Sequence, residues 1–222
     1  MIAAETSFSA GHACLSLLYS NAARFGYQVG PAPVDRALSL AKEAIRLAPN
    51  SSHALHARAM AEWLLGRSEV AFATLQVARA LNPNDPALSA EIGLRHAKRM
   101  NWDTAVSFLE EAYSCNSRHS GQYRMGLFFF HFWHGRPAEA LREVSAINTP
   151  GIGHFHLAHS AALSEMGQID DARASLTQAE LLSPGLLGRL VDNLTIRQIH
   201  PDLIAVIVRA LDRINPRKFH AR

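Results

Sequence analysis

The chain has 222 residues, a formal net charge of +3, a pI near 9.1, 48% hydrophobic and 18% charged residues. That balance suits a soluble folded protein and is too mild to argue for nucleic acid, and no stretch approaches the roughly 18 to 20 apolar residues of a spanning helix. The two cysteines, Cys14 and Cys115, lack paired spacing, so a disulfide scaffold is unsupported and a reducing compartment is the simpler view; both read as small buried apolar residues. Residues 1–20 have neither a basic n-region nor a clean apolar core, so a cytoplasmic location is expected.

In chain order, the segment from Ser7 to Tyr27 carries Cys14, Leu17, Leu18, Ala22 and Phe25 at helical spacing and reads as a first helix. A long turn, GYQVGPAP, precedes a second helix from Val34 to Ala48, ended by Pro49. The next pair begins at Ser51 or Ser52 as cap, turns at Gly66 and closes at Pro83. The third starts from Asp85 with Pro86 at the first helical position, runs to Met100, and resumes from Trp102 to Cys115; Trp102 is expected to wedge between its two helices. The fourth has the most aromatic first helix of the chain and a short second helix interrupted by NTPGIG. The fifth runs from Phe155 to Ser183. Beyond Pro184 come a short helix near Leu187 to Ile196 and a stronger one from Asp202 to Ile214, started by Pro201, whose stripe Leu203, Ile207, Leu211, Ile214 is expected to cover the fifth pair.

The elements repeat. Ala37, Ala71 and Ala105 stand 34 residues apart, as do Ala44, Ala78 and Ala112, and Pro49 and Pro83; Ser117 takes the place of the next proline, and Ala172, Ala179 and Pro184 restate the intervals. The fourth pair keeps Gly135 and Ala140 but has Ile147 where the others place alanine. Register therefore runs 34, then about 35, then about 32 residues, with loosening expected near residues 148–154.

Small residues where two helices approach, and a proline where the second stops, resemble the tetratricopeptide repeat over about residues 8–184. The resemblance implies an all-α, right-handed superhelical solenoid of antiparallel helix pairs spanning residues 1–222. The pairs are expected at about 8–49, 52–83, 86–117, 121–149 and 154–183, with a C-terminal capping pair at 186–214 and a basic tail at 215–222. A narrower likeness, in PAPVDRALSLAKEAIRLAPN, MNWDTAVSFLEEAYSCNS, GQYRMGLFFFHFWHGRPAEAL and HPDLIAVIVRALDRI, is to the repeat tails of bacterial class III adenylate cyclases and winged-helix regulators. It implies a non-enzymatic regulatory or interaction module, the C-terminal piece of a larger bacterial signalling protein.

In that family the first helices of successive pairs line a concave groove. The register carries over to His53, His56, Met60, Trp63 and Leu64, then Glu91, Leu94 and Lys98, then Gln122, Met125, Phe129, Phe132 and Trp133, and finally His154, Leu157 and Glu165. This lining is apolar and aromatic, and His56, Met60 and Trp63 stand where other members clamp a peptide carboxylate with lysine and asparagine, so no such clamp is expected. One reading docks an apolar or amphipathic partner segment along Trp63, Phe129, Phe132 and Trp133. The other covers these aromatics by the chain's own terminal helix, by a second copy or by inter-repeat packing. Self-association as a homodimer and a groove for a small apolar ligand are the alternatives from other classes.

Other constellations carry less. His131 with His134, and His156 with His159, have i, i+3 spacing but no matching carboxylate or cysteine, so no metal and no cofactor is expected. Glu110 with Glu111, and Asp170 with Asp171, are neighbours that point apart on a helix; Gly151 and Gly153 form a lone G-x-G without its strand; no serine or cysteine sits in a nucleophile elbow. The chain reads as no enzyme. Arg95, Lys98, Arg99 and the tail Arg213, Arg217, Lys218, Arg222 form two small basic clusters, insufficient for a nucleic-acid surface.

Overall fold

The computed structural model describes residues 2–116 and 121–215, all of whose regular elements are helical. The helices are α1 (Ile2–Phe25), α2 (Pro33–Leu47), α3 (Ser52–Leu64), α4 (Ser68–Leu81), α5 (Pro86–Lys98) and α6 (Trp102–Cys115), then α7 (Arg124–Trp133), α8 (Pro137–Ser145), α9 (Gly153–Glu165), α10 (Ile169–Leu182), α11 (Leu190–Ile196) and α12 (Pro201–Asp212). Short 3-10 turns precede α7 and α11. Ser117, the basic residues beyond Asn215 and the side chain of Gln122 lie outside the described part.

The turns inside the pairs share one local cause. At Gly66, Met100, Gly135 and Gly167 the backbone turns left-handed, with φ of 77°, 63°, 66° and 75°. In each case the residue after it donates to a carbonyl five positions back: Arg67 to Glu62, Asn101 to His96, Arg136 to His131 and Gln168 to Leu163, all at 2.9–3.0 Å. These are Schellman closures, which satisfy the orphan carbonyls of the first helix and reverse the chain. Three of the four use glycine because L side chains strain at positive φ. Met100 is the member the glycine pattern did not announce, a strained non-glycine turn held by its surroundings.

The second helices stop alike. Ala48, Asn82, Asn116 and Ser183 leave helical geometry with φ between −147° and −140°, each returning its N–H to the carbonyl of Ala44, Ala78, Ala112 or Ala179. Those four alanines are buried, as are Ala37, Ala71, Ala105, Ala140 and Ala172, because the paired helices meet there too closely for a larger side chain. Serines stitch the same seam: Ser16 donates to the Ala37 carbonyl at 2.7 Å and Ser160 to that of Ala172 at 2.7 Å. At the N-termini, Ser51 accepts the Ala54 N–H and Asp85 the Ala87 N–H, both at expected caps.

The chain divides into two compact units, residues 1–88 with 196–198, and residues 89–195 with 199–222. In the first, α1, α2, α3 and α4 pack in succession, α1 also on α3. In the second, one continuous core joins Leu94, Phe128, Phe129 and Phe132 of α7, Val144 and Ile147 near the end of α8, the alanine face of α9, and the inward stripe of α12. There α12 packs on α9 and reaches α7 as well.

Two expectations change here. Cys14 and Cys115 are exposed: the face of α1 that packs inward is that of Ala13 and Leu17, and Cys115 is the last residue of α6. Trp102, at the first position of α6, meets α7 edge-on, with its ring 6.0 Å from Phe130 and 5.7 Å from His134, so it packs against the following pair.

Three half-buried histidines of the second unit, His96, His131 and His159, are held below their ordinary value of 6.5, in each case chiefly by burial. A base with a depressed folded-state value holds its proton less readily when folded than when unfolded. Its contribution is therefore fully present above pH 6.5 and lost as pH falls below it. Urea unfolding at pH 7.5 and pH 5.5 should show a lower midpoint at the acid value; equal midpoints would show that these imidazoles do not couple to folding.

Candidate partner-binding groove

In the first unit the lining comes from α3. His53 is exposed and His56 half-buried, while Met60 and Trp63 are buried, Trp63 to 1% exposure. The indole N–H of Trp63 donates to the Arg197 carbonyl at 3.0 Å, and its ring stands edge-on to Phe72 at 5.6 Å. Arg197 is itself buried, donates to the Arg24 carbonyl, and lies over the Phe25 ring at 5.4 Å beside the Arg24 guanidinium. Burial, with the like charge of Arg24 adding to it, pushes its pKa down to about 9. The residues from Ile196 to Gln198 thus occupy the Trp63 end of α3.

In the second unit α5 presents Glu91, Leu94, Arg95 and Lys98, all buried, with Glu91 and Arg95 paired at 3.1 Å. Arg95 and Lys98, read from sequence as part of a basic surface cluster, are therefore interior, because their helix face is covered. On α7 Phe129 and Phe132 are buried, Met125 and Trp133 half-buried against the same core; Phe128, which the register left out, is fully buried and stacks on Phe132 at 5.3 Å. On α9 Leu157 is buried, and His154 Nε2 meets Asn193 Oδ1 at 2.8 Å.

The element on this face is α12. Its N-terminal end is fixed by the His200 N–H donating to the Lys98 carbonyl at 2.8 Å. Its C-terminal end is fixed by Ser164 Oγ donating to the Ala210 carbonyl at 2.5 Å and by Arg213 paired with Glu165 at 2.9 Å. The helix therefore crosses from the end of α5 to the end of α9 with Leu203, Ile207, Leu211 and Ile214 buried. The terminal helix α12 packs on α9 and reaches α7, and its stripe shares one core with Phe128, Phe129 and Phe132. Ser164 was not singled out from sequence. A serine on a helix otherwise rich in apolar residues was the available signal, and only the placement of α12 gives it a task.

The remaining constellations resolve into local contacts. His134 Nδ1 reaches the Phe130 carbonyl at 2.7 Å, His156 Nε2 the Pro150 carbonyl at 2.9 Å, and His159 Nδ1 the Ser175 hydroxyl at 2.8 Å. Among the described residues no group of three or more His, Cys, Asp or Glu is placed to hold a metal ion, and no helix is long and apolar enough to cross a membrane. Asp170 pairs with Arg173, Glu111 accepts from Ser89, Gly151 lies in open space and Gly153 packs against α10.

The fold is the all-α helical-repeat solenoid of tetratricopeptide repeat proteins. A thermophilic TPR protein of Thermus thermophilus superposes with a TM-score of 0.58 at 20% identity, over 74% of this chain and 90% of that one. The Pseudomonas aeruginosa pilF protein gives 0.62 at 17% identity, over 96% and 95%. A chain of the APC/C hetero-tetramer Cut9-Hcn1 gives 0.64 at 15% identity and 83% of this chain, which spans only 37% of that one. The chain matches no family model and no curated protein sequence.

Proposed function

We propose that this chain is a non-enzymatic interaction and regulatory module that binds an amphipathic helix of a partner protein in the groove of its repeats. The observation that carries this reading is α12. Leu94, Phe129, Phe132 and Leu157 share one buried core with the apolar stripe of α12, an amphipathic helix that packs on α7 and α9, which supports a groove able to take a helix of that kind. Aromatic and aliphatic side chains sunk in a groove are what helix-in-groove recognition uses, with anchors at i, i+4 and i+8 on the ligand. Met125 and Trp133, half-buried, and Lys98, whose carbonyl meets the start of α12, complete the second-unit lining; on the first unit, taken by itself, we assign His53, His56, Met60 and Trp63.

The setting we assign, as the C-terminal part of a bacterial cytoplasmic signalling protein, rests on the sequence likeness to regulatory repeat tails. That a structural neighbour was solved as a hetero-tetramer agrees with an interaction role.

The test is affinity capture from extracts of the source cells by the intact chain, with a peptide of residues 199–215 as competitor and a scrambled peptide as control. A partner released by the native peptide alone is the expected result. Captured proteins indifferent to the native peptide would move the interaction away from this groove.

A further inference from the structure

We infer that α12 is an exchangeable, autoinhibitory occupant of the second-unit groove, and that a partner's amphipathic helix gains access by displacing it. The inference rests on the reading of the groove just proposed and adds its regulation.

Three features of the second unit separate α12 from the helices beneath it. First, it is an added layer. The repeat pairs α7 with α8 and α9 with α10 pack on one another, α8 packs on α9, and α12 lies on α7 and α9 with its other face, Pro201, Asp202, Ala205 and Arg209, exposed. It follows α7, α8, α9 and α10 in the chain, so its departure breaks no connection between them. Second, it is built to be a helix on its own signals. Pro201 stands at the first helical position, and His200 Nδ1 accepts the Asp202 N–H at 3.3 Å, so its start does not depend on the groove. Third, its polar fastenings sit at its two ends: the His200–Lys98 backbone bond at one, and Ser164 to Ala210 with the half-exposed Arg213–Glu165 pair at the other. Between them the contact is apolar and non-directional, satisfied by any helix that offers the same stripe.

Leaving the groove empty would expose the stripe of α12 and apolar surface of α7 and α9 to water, so simple opening is disfavoured and exchange is the favoured route. The partner helix that fits carries apolar side chains at i, i+4, i+8 and i+11, as Leu203, Ile207, Leu211 and Ile214 do. It also carries a basic residue at i+10, where Arg213 meets Glu165. Because α12 is tethered, it competes at high effective concentration, and the apparent affinity for an incoming helix falls in proportion to the fraction of molecules whose groove is open.

The test uses the full chain and a fluorescein-labelled peptide of residues 199–215, with binding read by anisotropy. Ala205 is exposed on α12, so Ala205→Pro breaks that helix without touching the groove. The expected result is weak binding to the wild-type chain and binding on the order of a hundredfold tighter to Ala205→Pro. Equal affinity for the two chains would overturn autoinhibition while leaving the groove reading intact. No binding to an Ala205→Pro chain that still unfolds cooperatively would overturn both. Should that variant not fold, hydrogen exchange of the wild-type chain decides. Amides of α12 exchanging through local opening well before those of α7 and α9 support the inference, and protection equal to theirs defeats it.

Discussion

Replacing Trp63 by alanine should destabilise the first unit by about 3–5 kcal/mol, the range for a large aromatic removed from a filled site. The side chain is 1% exposed, packs edge-on to Phe72, and spends its one donor on the Arg197 carbonyl. Alanine removes the packing and leaves that carbonyl without the indole donor in a buried setting, two costs that add. Trp63→Phe separates them: it keeps most of the apolar volume and loses the donor, so it should fall well short of the alanine variant, at about 1–3 kcal/mol. The measurement is urea unfolding followed by far-UV circular dichroism. A loss below about 1 kcal/mol for Trp63→Ala would mean that the indole does not sit under residues 196–198.

Gly153→Ala should cost up to about 3 kcal/mol in the second unit, the upper part of the range for overpacking, despite alanine's better helix propensity. A Cβ there would stand 2.6 Å from the Ala179 carbonyl oxygen and 2.7 Å from Ser183 Oγ. The serine can rotate, but the carbonyl belongs to α10, so α9 must move from its partner helix. Gly151, two residues earlier in the loop that leads into α9, has open space around it, and Gly151→Ala should be nearly neutral. Equal thermal midpoints for the two variants would contradict the close approach of α9 to α10.

The same pair of glycines marks where sequence reasoning stopped. G-x-G in the 148–154 loop was legible as a turn and as the place where the period slips. Which glycine was packed and which free was not, because that depends on the approach of α10. The aromatic residues of α7 are a second case. Helical spacing said that Phe129 and Phe132 lie on one face, yet spacing cannot tell an open groove from a filled one. Arg95 and Lys98 show the same limit for charge: they looked like surface, yet both are buried, Arg95 in a pair with Glu91.

What the sequence determined by itself is most of the helix boundaries, which have local causes; the turn at Met100 is the exception. Glycines at 66, 135 and 167 permit the left-handed closure, small residues at the recurring alanine positions permit close approach, and prolines forbid continuation. What only the tertiary structure decided is which surface the stripe of α12 meets. An amphipathic pattern requires burial but carries no address. The address comes from long-range pairs, His200 with Lys98, Ser164 with Ala210 and Arg213 with Glu165, whose members lie tens of residues apart and form only once the repeats have stacked.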